Sequence, residues 1–302
     1  MNQSVSIENS PTIAYHIPVL VHEVASWLVW NPRGTYVDCT LGGGGHAAHF
    51  LEHYPELTVI GFDQDRDAVE YAGKHLERFG DRIKIYHSNF GSIRDVLVKE
   101  QRAPVDGIFA DLGISSHQVD AAERGFSFVA DSLDMRMDRR NPETAEELLN
   151  TAAEEELARI FYEYGEERFS RPIARRIVQE RLRTPITSAA QLVRIISSVK
   201  RRHGRINPAT QVFQGLRIAV NHEIDNLRLL LEAIPSLLVP QGRAVLLSYH
   251  SLEDRPIKQY FKQCALEGSI NILTKKVIMP SREEMSSNRR ARSAKLRCAE
   301  KL

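Results

Sequence analysis

Long apolar runs are missing from this chain. Its most hydrophobic N-terminal stretch, Ile17 to Trp30, is broken by His22 and Glu23, and nothing reaches the roughly 18 uninterrupted apolar residues of a membrane helix. The first ten residues hold neither a basic cluster nor an apolar run, so no signal peptide is read and a cytoplasmic protein is expected. Cysteine is scarce: Cys39, Cys264 and Cys298 stand far apart and form no CxxC pair, which argues against a disulfide framework or a zinc ribbon and for a reducing compartment. An excess of one charge is absent as well, since 40 Lys+Arg face 39 Asp+Glu, which excludes a histone-like polycation. Internal repeats, low-complexity tracts, a GxSxG elbow and a GxxxxGK[ST] loop are all missing, removing the commonest serine-hydrolase and P-loop readings. What remains, 302 residues with 42% hydrophobic and 26% charged, is the composition of a globular chain of one large domain or two smaller ones.

The pattern along the chain is α/β. Short segments rich in β-formers at Thr35–Cys39, Thr58–Asp63, Arg82–His87 and Val105–Ala110 alternate with helical stretches near 65–79 and 91–101, which predicts a mostly parallel sheet covered on both faces. Between Ala110 and the next strand signal, Gly242–Ser248, lie 131 residues, whereas a crossover with its helix needs about 30. The surplus reads as helices. Thr144–Glu147 and Thr151–Glu154 both fit a capping box, and helical patterns run from Ser170 to Arg181 and from Ser188 to Val199. The expected organisation is a loose arm over 1–15, a sheet domain from 16–119 and 208–302, and an inserted helical domain at 120–207. Ile270–Met279 and Ser293–Cys298 are candidates for a closing hairpin at the sheet edge.

A glycine cluster, Gly42 to Gly45, follows the first strand and opens a helix, and Asp63 closes the second strand 18 residues later. Glycines let backbone amides approach a ligand, and an acid at that spacing accepts hydrogen bonds from ribose hydroxyls. Gly42-x-Gly44-x-x-Ala47 also meets a looser dinucleotide fingerprint, so both NAD and S-adenosylmethionine suit the pattern. Phe90, just after the third strand, is placed to face adenine. His46 and His49 share a helix face but lack a third ligand and a carboxylate base, so no metal is expected. The fourth strand ends in Asp111 and the fifth in Ser248-Tyr-His-Ser-Leu-Glu-Asp-Arg255. Asp111 is thus a candidate to bind the cofactor or to take a hydrogen bond from an attacking amine, and His250 and Asp254 are candidates to orient substrate. On its own helix Asp254 would pair with Arg255 or Lys258, and His250-Ser251 would cap that helix. Charge is segregated: Lys275 to Arg297 holds eight basic residues and two acidic ones, and Arg194 to Arg205 five basic and none acidic, a distribution that fits a phosphate backbone as partner.

Taken together, His16-Ile-Pro-Val-Leu, Asp38-Cys-Thr-Leu-Gly-Gly-Gly-Gly-His46, Asp111-Leu-Gly-Ile-Ser-Ser116, Glu123-Arg-Gly-Phe-Ser-Phe128, Leu133-Asp-Met-Arg-Met-Asp138, Tyr164-Gly-Glu-Glu-Arg-Phe169, Phe213-Gln-Gly-Leu-Arg-Ile218, His250-Ser-Leu-Glu-Asp-Arg255 and Ala291-Arg-Ser-Ala-Lys-Leu296 resemble the MraW/RsmH family of methyltransferases. The resemblance spans nearly the whole chain. It implies a Rossmann-like class I methyltransferase sheet with an inserted helical domain, and transfer of a methyl group from S-adenosylmethionine to N4 of a cytidine in the decoding region (P site) of 16S ribosomal RNA. It further implies that Gly44, Gly45, His46, Asp63, Phe90, Asp111 and Gln118 contact the cofactor and that the partner is 16S rRNA within the small ribosomal subunit; from their place at the strand ends Asp111 and His250 are the catalytic candidates, and a homodimer stays open. Where the family has His-Pro-Ala-Thr-Arg, this chain has Asn207-Pro-Ala-Thr-Gln211, and His117 stands where proline is common. Two other readings compete: an NAD-dependent oxidoreductase, on the glycines and Asp63, and a non-catalytic RNA-binding assembly factor, on the basic segments.

Overall fold

Seven strands form one sheet: β1 (Thr35–Asp38), β2 (Thr58–Asp63), β3 (Ile83–His87), β4 (Val105–Asp111), β5 (Leu238–Ser248), β6 (Ile270–Ile272) and β7 (Lys295–Lys301), in the order β3-β2-β1-β4-β5-β7-β6. The computed structural model describes residues 18–201 and 206–302; the proposed arm and part of the basic run at 194–205 lie outside them. Strands β1 to β5 pair in parallel, while β7 is antiparallel to both β5 and β6. Val37, Ile60, Ile108, Ala110, Ala244 and Leu246 face one apolar layer, closed by the helices Ile93–Lys99, Glu223–Leu237 and Ser251–Leu266. Tyr36, Val59, Phe109, Val245 and Leu247 face the other, closed by Val21–Leu28, Gly45–His53 and Arg66–Leu76. Burial on both faces is why these strands read as near-continuous apolar runs.

Strand order reverses between β1 and β4: from β1 the chain builds outward through β2 and β3, then returns to β4 on the other side. A cleft forms beyond the carboxyl ends of strands at such a switch point. Residues 112–237 separate β4 from β5 and carry a second apolar cluster of their own, from Phe126 to Val220. The helix Thr210–Asn221 buries Val212, Phe213 and Leu216 in that cluster, so the helical unit's core continues past residue 207.

Two local readings need correction. The helix Ala145–Thr151 has its capping box, with Thr144 Oγ1 accepting from Glu147 N and Glu147 Oε2 from Thr144 N, but Thr151 caps nothing. It ends that same helix, its hydroxyl donates back to the Glu147 carbonyl, and the next helix starts behind Ala153. Asp254 pairs with Arg297, at 2.7 Å, and with Lys295, at 3.7 Å, both on the strand β7 against which its helix packs, rather than along its own helix.

Candidate active site

The loop after β1 is held from below. Asp63 Oδ2 accepts from Gly42 N at 2.7 Å and Oδ1 from Asp65 N at 2.8 Å, so one carboxylate fixes the glycine loop and the start of the helix Arg66–Leu76. Gly42 and Gly44 adopt positive φ of 53° and 79°, the left-handed region that glycine enters at least cost. A Cβ on Gly44 would lie 2.9 Å from Leu76 Cδ1, which makes this glycine a packing requirement. Thr40 links the two central strands: its amide donates to Asp38 Oδ1 and its hydroxyl accepts from Asp111 N at 2.6 Å.

Above the loop lies a cavity of about 340 Å³, within the range of small-ligand sites. Gly45, His46, Asp63, Phe90, Asp111, Gln118 and His250 all line it. Gly44 does not; it is the left-handed residue preceding the helix Gly45–His53, turned toward Leu76. His46 is buried, with Nε2 3.0 Å from the Val19 carbonyl and its ring 4.6 Å from that of Phe109. Gln118 spends its side chain within the protein, donating to Asp65 Oδ2 at 2.8 Å and accepting from Ser115 N at 3.0 Å. It shapes the wall through this buried contact. Asp254 is tied to the strand β7 and is not among the lining residues.

The wall over Gln118 is anchored by a buried guanidinium. Arg124 donates to both oxygens of Asp65, to Asp67, and to the carbonyls of Arg136 and Met137, which brings the Glu123–Phe128 and Leu133–Asp138 motifs together over the cleft. Asn221 continues the seam, accepting from Met137 N at 2.6 Å and donating to the Met135 carbonyl.

At the β4–β5 end the side chains form a connected polar group. Tyr249 donates its hydroxyl to Asp111 Oδ1 at 2.6 Å; its amide donates to Glu253 Oε2. Glu253 Oε1 lies 3.0 Å from His250 Nε2, while His250 Nδ1 is buried with no hydrogen-bond partner among the described residues. Arg217 is clamped by Glu223 at 2.8 and 3.0 Å, and its Nη2 is 3.3 Å from His250 Nε2. The shorter contact, to an ionised acid, places the proton on Nε2, which leaves Nδ1 as a lone-pair acceptor. Tyr249, Glu253, Arg217 and Glu223 are the site residues that sequence reasoning missed, although Tyr249 and Glu253 sit inside the segment that it singled out.

Burial raises the acids at the strand ends. Asp63 is pushed up to about 6, the amides of Asp65 and Gly42 opposing the effect. Asp111 is pushed up to about 7, with the Tyr249 hydroxyl opposing and the Glu253 charge adding. Asp38 is pushed up to about 8 by burial and by the charges of Asp111 and Asp63, against the Thr40 amide. Burial would raise Glu253 too, but the hydrogen bond from His250, with the Arg217 guanidinium and the Tyr249 amide, holds it below the usual range. The lining carries four carboxylates (Asp63, Asp111, Glu223, Glu253) against two guanidiniums (Arg217, Arg290). Such a site is electrostatically suited to a cation.

Residues 13–302 match the model of the MraW methylase family. A protein of Endomicrobium trichonymphae bearing the name ribosomal RNA small subunit methyltransferase H is 47% identical over 287 residues, covering 95% of this chain and 99% of that one. A protein of the same name from Cyanothece sp. is 50% identical over 289 residues, covering 95% of each.

Proposed function

The chain belongs to the MraW methylase family, and on that premise we propose that its cleft methylates 16S ribosomal RNA with S-adenosylmethionine, the acceptor being N4 of a cytidine in the decoding region of the small subunit. The observation that carries this reading is the pair of part-buried carboxylates, Asp63 and Asp111, that the strand ends hold beside a glycine-lined cavity. A sulfonium ligand with an ammonium group brings positive charge to acids that burial has left poorly solvated. A dinucleotide would bring pyrophosphate charge to the same acids, so the electrostatics favour S-adenosylmethionine over NAD. The fit extends to shape: Asp63 stands at the end of β2 with lone pairs left for ribose hydroxyls, and Phe90, Ala68, Leu227 and Met137 offer an apolar wall.

When bound, S-adenosylmethionine supplies an electrophilic methyl group. The residues of this chain do the rest by position. Asp111, fixed by Tyr249 and by the Thr40 hydroxyl at its amide, stands at the β4 end of the cavity to hold the cofactor's ammonium end. His250 lines the cavity with Nε2–H directed at Glu253, and its Nδ1, once uncovered as the base enters, accepts a hydrogen bond from the attacking exocyclic amine and receives its proton. That amine's lone pair is delocalised into the base, so drawing on its proton makes it more nucleophilic. The base has to stand out of its stack to enter the cavity. Among the described residues no helix is long and apolar enough to cross a membrane.

The test uses small subunits purified from cells lacking this gene, incubated with the protein and S-adenosylmethionine labelled on the methyl group. Label recovered in N4-methylcytidine supports the reading. Label on another nucleoside would refute the acceptor, and bound cofactor with no transfer would refute the catalytic assignment.

A further inference from the structure

Two guanidiniums line the cleft, and they differ. Arg217 is held by both oxygens of Glu223. Among the described residues, Arg290 has its Nη1 buried with no hydrogen-bond partner, and the acid it pairs with is Asp120, 3.8 Å from Nη2 and 74% exposed. An exposed pair at that distance contributes little, whereas a buried N–H without an acceptor is unfavourable. The side chain is therefore not explained by contacts among the described residues.

Its backbone is placed firmly. Arg290 lies in the turn Arg289–Ser293, and its amide donates to Asn288 Oδ1. Ala291 is fully buried in the cluster that holds Val19, Leu20, Leu41 and Ala47. Six residues before Arg290, Glu284 Oε1 accepts from Leu20 N at 2.7 Å. Leu41 and Ala47 flank the glycine loop, so these ties set Arg290 at the glycine-loop end of the cleft. There the helix Gly45–His53 begins without a side-chain cap, its first amides directed to the same end.

We propose that Arg290 binds the carboxylate of the cofactor's amino-acid moiety. The inference rests on the S-adenosylmethionine reading above and extends it to a residue outside the glycine loop and the strand ends. Charge complementarity selects the ligand. The amino-acid end of S-adenosylmethionine is zwitterionic, and the cleft offers an acid, Asp111, and a guanidinium with a free N–H, Arg290, while Asp63 is left for the ribose. A planar guanidinium also matches a carboxylate's two oxygens. The competing source of an anion is a phosphate of the RNA.

Calorimetry with two ligands separates these. Decarboxylated S-adenosylmethionine keeps the adenosine, sulfonium and ammonium groups and lacks only the carboxylate. Arg290→Ala is expected to weaken S-adenosylmethionine at least roughly tenfold while leaving the decarboxylated ligand within about twofold of wild type, and Arg290→Lys to recover part of the loss. Equal losses for both ligands would overturn the assignment, as general damage to the site. Unchanged S-adenosylmethionine affinity with a raised KM for the RNA would overturn it in favour of a phosphate contact. A wild-type protein that binds neither ligand would refute the cofactor reading itself, a result distinct from either failure of the variant.

Discussion

Replacing Asp63 by alanine removes two functions that can be measured apart. In the folded protein its two oxygens accept the amides of Gly42 and Asp65, at 2.7 and 2.8 Å, in a part-buried setting. Losing those acceptors leaves two N–H groups under-satisfied, each at a cost of ~1–3 kcal/mol unless water enters, so a total of about 2–6 kcal/mol of stability and a melting temperature lower by several degrees are expected. Each oxygen has one lone pair left for a ribose hydroxyl. Loss of those charge-assisted bonds is worth about 3 kcal/mol, on the order of a hundredfold in Kd. Titration calorimetry at pH 7.5, above the pKa of about 6, reads the second function. S-adenosylmethionine and 5′-methylthioadenosine share the ribose, so both are expected to lose affinity in parallel, unlike the selective loss expected at Arg290. Asp63→Asn keeps one acceptor and turns an amino group toward one of the two amides, so it should fall between. A cooperatively folded Asp63→Ala variant that binds S-adenosylmethionine within about threefold of wild type would refute the placement of the ribose.

Four further outcomes are expected. His250→Ala should lower kcat by about 10²–10⁴-fold with cofactor affinity near normal; a fully active variant would remove its proton-accepting role. Affinity for S-adenosylmethionine should rise between pH 5.5 and 7.5, because the cation favours the ionised forms of Asp63 and Asp111, and binding should release protons, read as a dependence of the calorimetric heat on buffer ionisation enthalpy. For the free protein the sign reverses: with these acids raised above their unfolded values, their contribution to stability is complete below about pH 4 and is lost as pH rises through 6 to 8, so a melting temperature rising over that window would contradict their burial. Arg124→Ala strands Asp65, which is 2% exposed, without its counter-charge, and should cost about 3–5 kcal/mol in chemical denaturation; a loss below about 1 kcal/mol would mean that the seam over the cleft is not held by this residue.

What could be read from the sequence was local. The strands announce themselves through β-branched and aromatic runs, Thr144 and Glu147 through a spacing of three, and the glycine loop through its place between a strand and a helix. What could not be read was set by tertiary contact. Thr151 and Glu154 have the same spacing as Thr144 and Glu147, but the helix Ala145–Thr151 had already claimed the threonine. Asp254 has two bases on its own helix, yet β7 brings Arg297 within 2.7 Å. Arg217 and Glu223 join the site because the helices Thr210–Asn221 and Glu223–Leu237 meet at His222, which takes a left-handed φ of 51°. Gln211, one of the departures from the family pattern, donates to the Glu166 carbonyl and accepts from Lys200, contacts no spacing rule would suggest.

The separation of β4 from β5 by residues 112–237 has a consequence for synthesis. At ~5–20 residues per second, the partner of β4 leaves the ribosome on the order of ten seconds after β4 does. During that interval the helical segment, which carries an apolar cluster of its own, has time to collapse while one edge of the growing sheet is still unpaired. The insertion that roofs the cleft in the finished protein therefore also makes the nascent chain depend on holding an open strand edge, and slower translation across 112–237 should increase its demand for chaperones.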